Sequence, residues 1–450
     1  MRVLSIPELM TLVWCLLAAQ PLFAFQCPDS VPVQGAPPPD PLPVFPMDNW
    51  WNQDIRSAPV DTNSASYIAF INNGSTRKLH PDFGGEASPG SVDIYGMPYA
   101  IVNSTQPKQA VTFQYWDESD GVDYVTGLGI PFYPIPTQAI TQSHWVEGGA
   151  PANIDQRSQS DRHLLMIDCE SKYLYELYNV YYNSTQGKWY AGSGAFFDMN
   201  SNNRRPDGWT SADAAGLAIF PGLVRYDEAF NSAVTEISHA FRVTVRATNG
   251  YVYPASHRAG STSGALPMGA RLRLKPLVNG LDPVLRTSDP NLQKIFRAMQ
   301  KYGLVVADNG SDMYITGTFD KRWNNDILNP AFAALTASDF EVIQLGWNPA
   351  TSLPPALSAV SASPNSVVGG NGSNGTVSLT STAPAGGIPV SLTSASSAIV
   401  VPSTVTVPQG MSSTNFAITT STVSLTTAGT LSASYSGVTK TTILTVNPSP

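Results

Sequence analysis

Short runs in which hydrophobic and polar positions alternate dominate the chain. "QAVTFQYW", "HLLMIDCE", "KYLYELYNVYY", "EISHAFRVTV", "YVYPA", "ARLRLK", "YGLVVAD" and "DMYITG" are rich in β-branched or aromatic residues and bounded by turn formers, a pattern that predicts strands. Helical periodicity is rarer. "SDPNLQKIFRAMQKYG" predicts a helix with Ser288 or Asp289 as its cap, Pro290 at its first position and Gly303 as its stop. "NPAFAALTASDFEVI" predicts a second helix that Ser338 ends early. The expected fold class is therefore mainly β: a large β-sandwich or barrel-like domain with a few short helices. No internal repeat is visible, which argues against a propeller.

Beyond "GWNPATSLPP" the pattern changes. "GTVSLTS", "IPVSLTS", "STVTVPQG", "TNFAITTS", "GTLSASYSG" and "KTTILTVNP" are Ser/Thr/Val alternations at regular spacing, as in a small antiparallel sandwich. "VSASPNSVVGGNGSNGTVSLTS" through "ASYSGVTKTTILTVNP" resembles a bacterial immunoglobulin-like module over about residues 355–448. That resemblance implies an immunoglobulin-like β-sandwich and a bacterial source, and implies no activity. In the larger part, "FPMDNWWNQDI", "RRPDGWTSADAAGL" and "VADNGSDMYITG" resemble an uncharacterised secreted bacterial family, to which no activity can be attached.

Composition narrows the class. The 450 residues are 42% hydrophobic and 13% charged, with net charge −8. No cluster of Lys and Arg stands out, so nucleic acid is excluded as a partner. Residues 1–24 read as a secretory signal peptide: Arg2 precedes the apolar "LMTLVWCLLAAQPLFA", and Ala24 stands at the cleavage position. Residues 25–47 read as a proline-rich arm, followed by the main domain at 48–350. No later stretch is apolar for long enough to span a bilayer. The expected location is secreted or extracellular, at the cell surface or in the periplasm. Cys15 falls within the signal, leaving Cys27 and Cys169 either as a disulfide or as two unrelated thiols.

Candidate chemistry is confined to the main domain. Residues 351–450 hold no Asp, Glu, Arg, His, Cys or Trp, and Lys440 is their only charge, so they lack the residues that acid–base, metal-binding and nucleophilic sites are built from. The main domain has no nucleophile elbow, P-loop, zinc-protease or dinucleotide signature. No cofactor is expected; "WDESDGVD" and "DNGSDMY" match calcium loops poorly and read better as Asx turns.

Polar residues concentrate between 198 and 275. In "RRPDGWTSADAAG", Asp207 and Trp209 stand out, whereas Asp213 reads as part of a capped single turn. "PGLVRYDE" brings Arg225, Asp227 and Glu228 together, either as a structural ion pair or as an acid presented to a cleft. His239 falls on the apolar face of its strand and reads as core, while His257 ends "YVYPASH" in a loop. Arg271, Arg273 and Lys275 share one strand face, where such cations are usually solvated. Asp161 and His163 precede a buried strand, and Asp320, Trp323, Asn325 and Asp326 form a composition that suits sugar contact.

The leading expectation is a glycoside hydrolase acting on a polysaccharide. Asp227, Glu228, Asp207 and His257 would be its catalytic candidates, and Trp209, Arg225, Arg271, Arg273, Asp320 and Trp323 its substrate contacts. Two alternatives stand beside it. One is a polysaccharide lyase using His257 or Tyr253 as base and Arg271 and Arg273 to neutralise a uronate. The other is a non-catalytic glycan-binding or adhesion protein.

Overall fold

A computed structural model describes residues 27–35, 44–152, 160–349, 355–381, 383, 386–408 and 411–450. The expected signal peptide and much of the proline-rich arm lie outside the described residues. The chain divides into two compact units, Met1–Gly346 and Trp347–Pro450. Both are mainly β, and helices are few and short.

The first unit is built on two larger sheets. One has five strands in the order Val33–Gln34, Tyr99–Val102, Leu164–Asp168, Tyr173–Tyr178 and Ser193–Asp198. Its central strand reads as an unbroken apolar run because both of its faces are covered. Leu164 and Met166 pack into one hydrophobic cluster, while Leu165 and Ile167 pack into another on the opposite face. A disulfide between Cys27 and Cys169 ties the N-terminal segment to the end of this strand.

The other sheet has six strands in the order Phe340–Val342, Arg271–Leu274, Leu304–Asn309, Phe241–Val245, Tyr314–Thr316 and His80–Asp82. The helix Pro290–Lys301 forms where its cap and stop predict, with the Asp289 side chain accepting from the Asn291 N–H. Leu292, Ile295, Phe296 and Met299 join the same cluster as Phe241, Val243 and Val245.

Two local expectations are corrected. "YVYPA" contributes only an isolated bridge at Tyr251. The second helix runs from Asn325 to Phe332, upstream of the span read from the sequence, because the Asn324 side chain caps it by accepting from the Asp326 N–H. The remainder, "TASDFEV", becomes a single turn and a strand: Asp339 accepts from both the N–H and the hydroxyl of Thr336 and closes the turn Ala337–Asp339.

The second unit is a two-sheet sandwich with strands such as Ile388–Ser394, whose residues alternate between buried and exposed. Val360, Val377 and Ile418 of one sheet share a core with Val390, Leu431 and Val446 of the other. Among the described residues, no helix is long and apolar enough to cross a membrane.

Candidate active-site cleft

Two adjoining cavities of about 490 and 520 Å3 open in the first unit. They share Asp161, His163, Asp308 and Asn309 in their walls, so they adjoin as the two halves of a cleft. Its parts come from the ends of strands in both larger sheets. Asp161 and His163 lead into Leu164–Asp168, and Arg242 lies within Phe241–Val245. Asp308 lies near the end of Leu304–Asn309.

A bulge places Asp308. Val243 pairs with Val306, but Thr244 pairs with Asp308, so Ala307 is skipped in the register. The extra residue reverses the strand's alternation and re-aims the aspartate. The far wall is residues 210–214 of the "RRPDGWTSADAAG" loop.

The loop is held by its two arginines. Arg204 donates to the carbonyls of Pro254 and Ala255 at 2.9 and 2.7 Å and to the Asp207 carboxylate at 2.8 Å. Arg205 is buried, pairs with the Asp120 carboxylate and donates to the Glu118 carbonyl at 2.6 Å. In return the Glu118 carboxylate accepts from the Thr210 N–H at 3.0 Å. Trp209 is half-buried, with Tyr124 tilted against it at 5.8 Å and the Arg205 guanidinium 5.4 Å from its ring.

Inside the cleft the charges are sharply differentiated. Arg242 is buried and reaches Asp213 through two nitrogens at 2.7 and 3.3 Å, Thr316 Oγ1 at 2.6 Å and Asp308 at 3.8 Å. Its pKa is raised, because the neighbouring carboxylates outweigh the burial that opposes its charge. His163 places Nδ1 2.6 Å from Glu147 and Nε2 3.0 Å from the Ala212 carbonyl. Both partners accept, so both ring nitrogens carry protons and the ring is an imidazolium. Burial disfavours that charge, but Glu147 prevails and lifts the pKa to about 9. His163 is thus a fixed cation rather than a base.

Asp308 behaves in the opposite way. Burial, reinforced by the adjacent Asp213 carboxylate, pushes its pKa up to about 7 against the pull of Arg242. Burial and Glu147 also raise Asp82 on the second wall. His257 lines the cleft with Nδ1 2.8 Å from the Ala214 carbonyl, so Nδ1 carries a proton and donates it there. Asp161 stands exposed at the cleft and makes no ion pair among the described residues.

Of the catalytic candidates read from the sequence, only His257 lines this cleft. Glu228 is buried, bonded to Arg225 at 2.7 Å and His239 at 2.9 Å, and is closed to a substrate. The chain there forms the one-turn helix Tyr226–Ala229, in which Glu228 comes within reach of Arg225 and pairs with it. Asp227 is half-buried in that turn and Asp207 is exposed on its pairing with Arg204; neither lines the cleft.

The substrate contacts fare similarly. Arg271 and Arg273 are buried, not solvated. Arg271 donates to the Trp50 carbonyl, and Arg273 donates to those of Arg56 and Ala58 at 2.9 and 3.0 Å and pairs with Glu341. Trp323 is buried 4.9 Å from Phe83 with Nε1 donating to the Thr318 carbonyl, so it offers no sugar platform. Asp320 pairs with its neighbour Arg322. Trp209 braces the cleft wall from behind.

Sequence reasoning missed Asp308, Arg242 and Glu147 as cleft groups. The available signal was an acid ending the apolar run "LVVAD", which reads equally well as a turn. Several carboxylates of the calcium-like stretches are taken by protein groups: Asp123 accepts from the Val125 N–H, Asp120 pairs with Arg205, and Asp312 pairs with Arg246. Among the described residues, no group of three or more His, Cys, Asp and Glu is placed to hold a metal ion.

No family model matches the chain, and no curated protein does. Two solved structures show partial similarity. The "D00-D0 domain of Intimin" is 16% identical over 20% of this chain and 44% of that one, with a TM-score of 0.16. The "D0-D1 domain of Intimin" is 14% identical over 24% of this chain and 53% of that one, with a TM-score of 0.18. The chain thus spans about half the length of these structures or less, and likeness at this level carries no functional argument.

Proposed function

We propose that the protein is an exported glycoside hydrolase whose catalytic centre is the cleft around Asp308. One observation carries this reading: a carboxyl with a pKa of about 7 stands in a polar cleft among other carboxylates. Glycoside hydrolysis needs a carboxylic acid that stays protonated near neutrality and an opposing carboxylate. Asp308 is the acid, giving its proton to the glycosidic oxygen as the bond to the anomeric carbon breaks; by the end of the reaction a water oxygen takes the glycosidic oxygen's place on that carbon. Asp161 is the opposing carboxylate, and His257 Nε2 accepts a substrate hydroxyl. Arg242 and His163 stay tied to Asp213 and Glu147 and set the field at the centre.

The buried state of Arg271 and Arg273 favours hydrolysis over a lyase reaction, which needs free cations beside a uronate. The C-terminal unit serves as an immunoglobulin-like spacer that holds the catalytic unit at an extracellular site, and the partner is a glycan. The test is reducing-end release from a panel of neutral polysaccharides. Turnover that falls at least about 100-fold in both Asp308→Asn and Asp161→Asn supports the assignment. An unsaturated product absorbing in the near ultraviolet means a lyase, and retention of glycan without any product means a binding protein.

A further inference from the structure

The cleft has an apolar extension that hydrolysis at Asp308 does not use. Residues 115–130 form the turn Trp116–Glu118 and a small hairpin pairing Val122–Asp123 with Leu128–Gly129. Tyr115, Trp116 and Tyr124 of this segment are 45%, 39% and 50% exposed. Three large aromatic side chains in one short segment are more than the scattered exposure normal for a surface.

Trp116 is held as a flat platform. A Cβ built on Gly127 would lie 3.2, 3.3 and 3.5 Å from three atoms of the indole, Cδ2, Cε2 and Cε3. Such even distances place Gly127 over the ring's face rather than its edge. Gly127 has φ +71°, which a side chain would strain, and any side chain would also displace the indole. One face of Trp116 is therefore covered by the Gly127 backbone, while 39% of the residue stays exposed. Tyr124 is fixed by its hydroxyl, which donates to the Ser119 carbonyl at 2.9 Å, and by its tilt against Trp209.

The segment is continuous with the cleft: Tyr115 and Glu118 line it, and Arg205 clamps Asp120 and the Glu118 carbonyl to the cleft wall. We propose that residues 115–130 are an outer binding platform of the cleft, and that its ligand is a neutral polysaccharide whose pyranose rings stack on Trp116 and Tyr124. The apolar face of a pyranose matches a rigid, one-sided indole, and carboxylates beside it take the ring hydroxyls. Charge selects this ligand over a membrane. Residues 115–130 hold four Asp and Glu and no Lys or Arg, which repels anionic headgroups. The same charge disfavours uronate polymers. This inference rests on the cleft being a glycan site, but not on its catalysing hydrolysis.

The test is affinity electrophoresis of the full chain in gels containing mixed-linkage β-glucan, arabinoxylan or galactomannan, with sedimentation on phosphatidylglycerol vesicles alongside. The wild-type chain is expected to be retarded by at least one polymer and to stay off the vesicles. Trp116→Ala with Tyr124→Ala should weaken retardation about fivefold or more, while Trp116→Phe, which keeps a flat ring, retains most of it. Retardation without turnover in any polymer would leave the platform standing and remove the hydrolase reading. Wild-type retardation in the double alanine variant, no retardation in any of the three gels, or sedimentation with vesicles would overturn the platform.

Discussion

Asp213 and Asp308 flank the same arginine and are treated differently by it. Asp213 meets Arg242 through both oxygens, whereas Asp308 stands 3.8 Å away and feels burial and Asp213 more strongly. The acid role proposed for it requires the proton, so turnover should fall as pH rises through about 7, measured as a kcat/KM profile. The same raised pKa has a signed effect on stability. The folded chain holds this proton from pH 3.8, the carboxyl's ordinary value, up to about 7, where the unfolded chain releases it. Asp308 therefore lowers unfolding free energy as pH rises across that window, and Asp308→Asn should flatten this slope in urea titrations. A raised pKa alone does not make a site: Glu176 also rises to about 7 by burial, but it is sealed beneath the backbone N–H groups of Ile219 and Phe220.

Glu228 supplies the contrast. Burial works against its charge, yet Arg225 and His239 hold its pKa below the ordinary 4.5. Its contribution to stability is present above that value and is lost as pH falls through the lowered one. Glu228→Ala should cost about 3–5 kcal/mol in denaturant unfolding, because it strands two buried basic groups. Turnover in the surviving folded fraction should be unchanged, a readout that separates a structural glutamate from a catalytic one.

At the scale of elements, the loop 204–216 and the hairpin 115–130 stand or fall together. Arg205 is their shared fastener, reaching Asp120 and the Glu118 carbonyl while its guanidinium covers Trp209. Arg205→Ala leaves Asp120 without its cation and the loop without its clamp. Amide exchange across residues 115–130 should then speed up about tenfold or more by hydrogen exchange, with the helix Pro290–Lys301 unaffected. The helix was legible in the sequence because its cap, periodicity and stop are all local. The bulge at Ala307 was not, because a bulge exists only relative to a partner strand, and that partner lies more than sixty residues earlier.

For the whole molecule, separate hydrophobic cores in the two units imply separate melting transitions. The Cys27–Cys169 bridge spans 142 residues within the first unit. Reduction, or Cys169→Ser, should destabilise that unit by about 2–4 kcal/mol. Calorimetry should show one transition shifting under reductant while the other stays in place.

Several properties follow from the sequence by itself: the mainly β class, the helix at 290, and the near-absence of charged residues beyond residue 350. They follow because periodicity, capping and a near-absence of charged residues are properties of neighbours or of composition. Tertiary structure alone decided which polar residues do what. Glu228, Arg271, Arg273 and Trp323 look available in a linear reading, but each finds its partner inside the protein and is buried with it. Asp308 looks like a turn residue, but a bulge places it at the cleft, where burial and the distant Asp213 carboxylate push its pKa up to about 7. "RRPDGWTSADAAG" is neither an isolated corner nor an active site. Its arginines and Trp209 hold the wall, and Thr210 to Ala214 form the wall's surface. Charge and burial are set by what comes close in space, and separation along the chain does not specify that.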